Sequence, residues 1–343
     1  MSIFRFLFLV IASAMLIVVV SCSQTPPTVN NSTQSPSAAT SSVTTTSHNQ
    51  SGKDRININA AILSELDKLE AKLGVPALSN RIQGSRPYGS TEELVSKKVI
   101  TQEQFDQIKD MVTIEDVVLT GVAKDVDYMT KLGLMKGHLF VAKELLDLQK
   151  PDQAAPHIGH PVEEIYVDVE DQLNERNVKE FKTNLISLQD LVKSQPKNVK
   201  VGSNFEVSMQ SVDEAIAALP TAQRQSPEFV LQVINELLDA ANSEYGAAIA
   251  NGKIAAAIEY QDSRGFVNYA NALYEGISSQ MAKENPEAHK AIVASMPELT
   301  KAWPSAVAPT IIVKTPEQVD QLIKTIEQNS QKVVNNSNTQ AKL

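Results

Sequence analysis

This sequence predicts an all-α fold: a small helical domain, then a multi-helix bundle, both following an unstructured tether. Three observations carry that reading. Hydrophobic residues make up 42% of the 343 but aromatics only 5%, so a core must be built from Leu, Ile, Val and Ala, a composition that suits helices better than a sheet sandwich. From Asp125 onward apolar residues recur at three- and four-residue steps, the period of a helix face. Prolines and the Asn251-Gly252 pair punctuate those runs, and several starts share one device, a capping residue, then Pro, then Glu: Ser226-Pro227-Glu228, Asn285-Pro286-Glu287 and Thr315-Pro316-Glu317. Proline at the first helical position forfeits no hydrogen bond, and an early carboxylate meets the positive end of the helix dipole.

Residues 1–21 carry Arg5 and then an uncharged apolar run from Phe6 to Val20, the build of a secretory signal segment. The run ends Val19-Val20-Ser21-Cys22, and Cys22 is the one cysteine of the chain, so no internal disulfide can form. This segment resembles a bacterial lipoprotein signal peptide. The resemblance implies cleavage before Cys22, lipid on Cys22, and attachment to a membrane on the extracytoplasmic side of the envelope. Ser23, in place of an Asp, favours the outer membrane where there are two. Residues 22–54 form the lipidated cysteine and a linker; Ser23 to Gly52 hold no Asp, Glu, Lys or Arg and too little apolar surface to fold. Such a tether of about 30 residues has a root-mean-square reach of roughly 30 Å.

Residues 55–113 read as a compact helical unit. Leu63, Leu66, Leu69 and Leu73 mark its first helix, with Asn59 as N-cap; Gly74-Val75-Pro76 turns the chain, and a second helix runs through Leu78 and Ile82. Together with Ile58-Asn59-Ala60, Arg86-Pro87-Tyr88 and Glu93-Leu94-Val95 … Val99-Ile100, these residues resemble the helix-hairpin-helix module of the competence protein ComEA, and equally that of the photosystem subunit PsbU. The first resemblance implies binding of double-stranded DNA without sequence preference, through Gly74, Val75, Ala77, Arg81 and Arg86; the second implies a structural role in a membrane-bound assembly. Physically, a hairpin of this kind aims backbone N–H groups at a phosphate. Pro76, standing where a second glycine is usual, has no N–H to give. The unit holds nine Lys/Arg and nine Asp/Glu over residues 53–113, so any DNA binding is weak, and a protein partner is the other reading.

Residues 125–303 read as the bundle, with helices near 126–149, 161–176, 178–194, 205–219, 227–250, 253–283 and 286–301. Residues 304–343 read as a weak helix near 316–331 and a disordered tail. Breaks are expected at Pro156 and just before Pro161.

Polar residues interrupt the apolar faces of this bundle at two places. His138 falls on the stripe Leu134, Val141, Leu145, Leu148, and Asp262 on the stripe Ala255, Ile258, Phe266, Tyr269, Leu273, Ile277. A buried carboxylate needs a partner, and a histidine, a metal or an arginine from another helix would supply one. A third feature is His157-Ile158-Gly159-His160-Pro161-Val162-Glu163-Glu164, in which His157, His160 and Glu163 can converge at a helix start while Glu164 points to solvent. His160-x-x-Glu163 resembles the His-x-x-Glu of imelysin-type periplasmic iron-uptake proteins over those four residues, with Gly159 directly before the histidine rather than two before it. His138, His157, His160, Glu163 and Asp262 are therefore a candidate pocket for a metal ion or haem; a plain hydrogen-bonded core histidine is the simpler alternative.

The formal net charge of −9 makes the whole chain a poor general binder of nucleic acid. Nucleophile-elbow, Walker and His-Glu-x-x-His motifs do not occur, so an enzyme is not expected. The leading expectation is an envelope-anchored lipoprotein whose hairpin contacts DNA or a partner protein. The alternatives are a metal- or haem-binding periplasmic bundle and a PsbU-like structural subunit.

Overall fold

The computed structural model describes residues 55–115 and 119–340. The residues read as signal segment, lipidated Cys22 and tether lie outside the described residues, as do residues 341–343. Among the described residues the fold is all-α, with strand limited to two short pairs.

The N-terminal unit is closed by a parallel pair, β1 (Ile56–Asn57) with β2 (Val112–Thr113). Between them lie α1 (Leu63–Leu73), α2 (Leu78–Gly84), α3 (Glu93–Ser96) and α4 (Gln102–Ile108). Ile58, Leu66, Leu69, Leu78, Ile82, Leu94, Phe105 and Ile108 build a core of its own. Gly74, at φ 62°, ends α1 and donates its N–H to the Glu70 carbonyl, a left-handed cap that costs glycine nothing. Asn59 does not cap α1, which starts three residues later than the sequence suggests, after Ile62. Its amide instead exchanges two hydrogen bonds with the Tyr88 backbone, at 2.9 and 2.7 Å.

The remainder is α5 (Gly121–Asp147), α6 (Pro151–His160), a π-helical turn (Pro161–Ile165), α7 (Tyr166–Glu175), α8 (Lys182–Ser194), α9 (Lys200–Ala217), α10 (Thr221–Arg224), α11 (Pro227–Ala248), α12 (Ala257–Glu284), α13 (Pro286–Thr300) and α14 (Pro316–Gln340). The three Pro-Glu starts open α11, α13 and α14 as expected. Between α11 and α12, β3 (Ile249–Ala250) pairs antiparallel with β4 (Lys253–Ile254). Asn251 and Gly252 sit at φ 53° and 70° there, the signs that a tight primed turn requires. α1 packs on α11, with Lys68 paired to Asp239 at 2.5 Å and Ile62 entering the bundle core.

Three expectations fail. Pro156 sits inside α6 rather than breaking the chain. Pro161 does not open a new helix either: the chain stays helical through it and widens into the π turn, where Tyr166 N–H reaches the Pro161 carbonyl. A proline removes one hydrogen bond and crowds the preceding turn, and a π turn is one way to absorb that. Finally, α14 is no weak helix with a disordered tail from Asn335. It runs 25 residues, burying Val319, Ile323, Ile326 and Val333 against α11 and α13. None of the described helices is long and apolar enough to cross a membrane.

Candidate metal centre

Three helices bring the histidines and the aspartate together. α5 supplies His138, α6 supplies His157 and His160 one turn apart, and α12 supplies Asp262. The crossing of α5 and α12 is unusually close because each presents a glycine to the other. A Cβ on Gly265 would lie 2.2 Å from the Gly137 carbonyl oxygen, and one on Gly137 would lie 2.9 Å from the Gly265 carbonyl carbon. A glycine within a helix costs about 1 kcal/mol relative to alanine; here the pair lets neighbouring His138 meet Asp262 across the contact.

His138 Nδ1 stands 2.7 Å from Asp262 Oδ1, His157 Nδ1 2.6 Å from the same oxygen, and His160 Nδ1 3.4 Å from Oδ2. One candidate ligand atom from each of the four residues can be chosen so that all lie within 4.8 Å of one another. His157 is fully buried, His138 and Asp262 nearly so, and His160 about one quarter exposed. The Phe266 ring stands edge-on to His138 at 5.0 Å. Gly159 leaves room for Gln189, whose amide nitrogen would be 2.3 Å from a Cβ there.

The electrostatics follow from burial around one carboxylate. Burial opposes ionisation of Asp262, yet attraction to His138 and His157 holds its carboxyl well below the usual range. Burial lowers His138, with Asp262 pulling the other way. For His160 burial again opposes charge, but the hydrogen bond and attraction to Asp262, aided by Glu164 and Glu163, push it up to about 9.

Of the five residues predicted for this pocket, four converge and Glu163 does not. Glu163 is exposed, whereas Glu164, expected in solvent, is partly buried. Burial raises its carboxyl to about 7, against attraction to His160 and with Asp262 adding to the rise. The π turn carrying both residues departs from the 3.6-residue period on which the expectation rested. Arg264 does not serve Asp262 either; it pairs bidentately with Glu144 at 2.8 and 3.1 Å.

Sequence reasoning missed Gln261, which is buried beside Asp262 and accepts from His157 Nε2 at 2.8 Å. The paired helical glycines were the available signal for the crossing, since mid-helix glycine implies close backbone approach.

The residues named for a phosphate are placed differently. Gly74, Val75 and Ala77 do form the turn between α1 and α2, but the donors of Gly74 and Ala77 are spent within the chain. Ala77 N–H donates to Glu70 Oε1 at 2.9 Å and Ser79 N–H to Glu70 Oε2 at 3.2 Å. Arg86 turns inward to the carbonyls of Ile58 and Ala61 at 2.8 and 2.5 Å. Arg81 is exposed. Glu70 thus takes up N–H groups that a phosphate at this turn would need.

Residues 220–337 match the family described as the iron permease-associated 4-helix bundle domain. The match runs from α10 into α14, and so contains Asp262 and Gln261 but none of the three histidines of the centre. Neither a curated protein nor a solved structure matches the chain.

Proposed function

We propose that this protein binds a transition-metal ion, with His138, His157, His160 and Asp262 as ligands, and that iron is the first ion to test. The observation that carries the reading is the convergence of three imidazoles from two helices on one buried carboxylate. Imidazole suits zinc, copper, iron and nickel, and one carboxylate beside it does not narrow that set. Around a tetrahedral ion with bonds of about 2.0–2.1 Å, neighbouring ligand atoms stand roughly 3.3 Å apart. The present Nδ1–oxygen separations of 2.6 to 3.4 Å straddle that value, and ligand atoms that lie within 4.8 Å of one another can close on one ion by local side-chain shifts. Haem does not fit. The three imidazole centroids are 5.2 to 6.3 Å apart, a spacing that suits a shared ion and gives no slot for a porphyrin plane. The association of the matched family with iron permeases supports iron as cargo. Attachment through Cys22 would hold the centre near a membrane surface, where an ion could be received or passed on.

The test is a titration of the full chain with Fe²⁺, Zn²⁺ and Cu²⁺ under conditions that keep iron reduced, followed by metal analysis after gel filtration. One equivalent of metal should be retained, and Tm should rise with ion concentration by mass action. Retention that survives His138→Ala and His160→Ala unchanged would place the ion elsewhere and end this reading.

A further inference from the structure

We infer that Gln261 is a positioning residue that makes Nδ1 the metal-facing atom of His157; the inference rests on the metal-binding reading above and deepens it. Gln261 is not itself a ligand. It stands next to Asp262 in α12, so that consecutive residues of one helix address the two nitrogens of one imidazole.

The orientation of the Gln261 amide is settled by its other partners. Its nitrogen donates to the Ala306 carbonyl at 2.9 Å and to Gln153 Oε1 at 3.0 Å. A backbone carbonyl can only accept, so the amide oxygen must be the atom that faces His157 Nε2 at 2.8 Å. That oxygen can only accept as well, so Nε2 carries hydrogen. A neutral imidazole with hydrogen on Nε2 has its lone pair on Nδ1, and Nδ1 points at Asp262 Oδ1 from 2.6 Å. Two lone pairs that close repel unless a cation lies between or beside them, either a proton or a metal ion. Gln261 therefore leaves His157 with one nitrogen free to ligate.

Ala306 is held in turn. Its N–H donates to Glu144 Oε1 at 3.0 Å, and Glu144 is the partner of Arg264, which also donates to the Trp303 carbonyl. Tyr260 fixes the Ser305 carbonyl at 3.0 Å. The segment between α13 and α14 is thus clamped to α5 and α12, and its Ala306 carbonyl fixes the amide that fixes the imidazole. Partners of this kind orient a ligand without touching the metal, and their loss typically costs about 10–100-fold in affinity.

The experiment uses the full chain labelled with ¹⁵N-histidine, with zinc as a diamagnetic probe, in the wild type, Gln261→Leu and Gln261→Glu. Nitrogen NMR reads which atom of His157 bears hydrogen and which meets zinc; competition titration reads affinity. In the wild type Nε2 should bear hydrogen with or without zinc, and zinc should sit on Nδ1. Gln261→Leu should lower zinc affinity about 10–100-fold and leave His157 in a mixture of tautomers. Gln261→Glu, once its carboxyl is protonated against the Ala306 carbonyl, should restore the Nε2–H signal, which a merely space-filling role would not predict. Should Gln261→Leu fail to fold, as judged by helical circular dichroism, Gln261→Glu and the wild type still decide the point. Zinc on Nε2 in the wild type, or an unchanged tautomer and affinity in Gln261→Leu, would overturn the assignment. A wild type that binds neither zinc nor iron would end the metal reading and the role of Nδ1 with it, whereas the Nε2 hydrogen, read in zinc-free protein, still tests separately whether Gln261 sets the tautomer.

Discussion

Glu70 in the hairpin and Asp262 in the bundle are both carboxylates surrounded by nitrogen, and they are satisfied in opposite ways. Glu70 is met by two backbone N–H groups from the turn just after its own helix, at 2.9 and 3.2 Å, and by the Ser79 hydroxyl at 3.2 Å. The two N–H groups are donors whatever the conditions, and the hydroxyl shares its one hydrogen between Glu70 and Asp67. Asp262 is met by three imidazoles, and an imidazole nitrogen is a donor or an acceptor according to where its hydrogen is. The hairpin site is therefore closed by its own sequence, while the bundle site has a valence that only a proton or a metal can fill. Ligands belong at the second kind of site, and the most direct tests set one carboxylate against the other.

The largest effect should come from Asp262→Ala. Removing one partner of a buried charged network typically costs about 3–5 kcal/mol, and here three imidazoles would lose their common partner. Urea denaturation should show that loss, and metal retention should disappear with it. A change under 1 kcal/mol would mean that water or another side chain takes the place of Asp262 easily, and that the centre is not built around it.

Next comes the helix crossing that makes the centre compact. Gly265→Ala places a methyl against the Gly137 backbone and should cost about 1–3 kcal/mol by overpacking, along with weaker metal binding. Gly276→Ala is the control in the same helix, with open space at its Cβ; it should gain about 0.4–1 kcal/mol. If the two alanines behave alike in thermal melts, the close approach of α5 and α12 does not position the site.

Between the two carboxylates lies a third, Asp67, on the same helix as Glu70 and hydrogen-bonded to the Ser79 hydroxyl and to Glu244 of α11. Burial is the main reason that its carboxyl rises from 3.8 to about 7, and the charges of Glu70 and Glu259 add to it. Glu244 is raised well above its ordinary value, again chiefly by burial, then by Asp67, Asp262 and Glu259. A folded-state pKa above the unfolded one means that the native state keeps a proton the unfolded chain would release. The contribution of Asp67 to stability should therefore be fully present below about pH 4 and be lost as pH rises through about 7, with a slope of at most ~1.4 kcal/mol per pH unit. Asp67→Asn should flatten that part of the profile, measured by unfolding at each pH, whereas Glu70→Gln, which removes one of the charges that raise Asp67, should keep the fall and move it toward lower pH. An unchanged slope in Asp67→Asn would assign the pH response to other groups.

Much of this was legible before the fold. Proline-glutamate starts placed three helices, and the interruption of apolar stripes singled out His138 and Asp262, because a polar residue at a buried position must find a partner. What escaped has a physical reason in each case. Pro156 and Pro161 read as breaks because proline usually is one, and only the surrounding packing keeps α6 and the π turn helical. That hid the fact that His157 and His160 share a helix face, and it exchanged the roles of Glu163 and Glu164. Gln261 gave no signal, since an amide beside an aspartate resembles any exposed helical pair until a third helix covers it. Glu70 reaches donors seven and nine residues ahead across a turn, a contact no helical period foretells.

The smallest effect is expected at the hairpin, and it bears most directly on the contrast between the two sites. Glu70→Ala deletes an N-terminal acceptor for α2 and should cost about 0.5–2 kcal/mol, the scale of a lost helix cap. It also frees Ala77 N–H and Ser79 N–H. The wild type should show no salt-dependent binding of double-stranded DNA in fluorescence anisotropy at low ionic strength, because Glu70 fills the anion position and Arg86 is turned inward. Glu70→Ala should at most gain weak binding, with a salt slope of about one phosphate, close to 0.9. If the wild type instead binds with a slope of several phosphates, the donors at Ala77 and Ser79 must be released from Glu70 on contact. The hairpin would then be a second open site, and the distinction between a closed carboxylate and an open one would not hold for this protein.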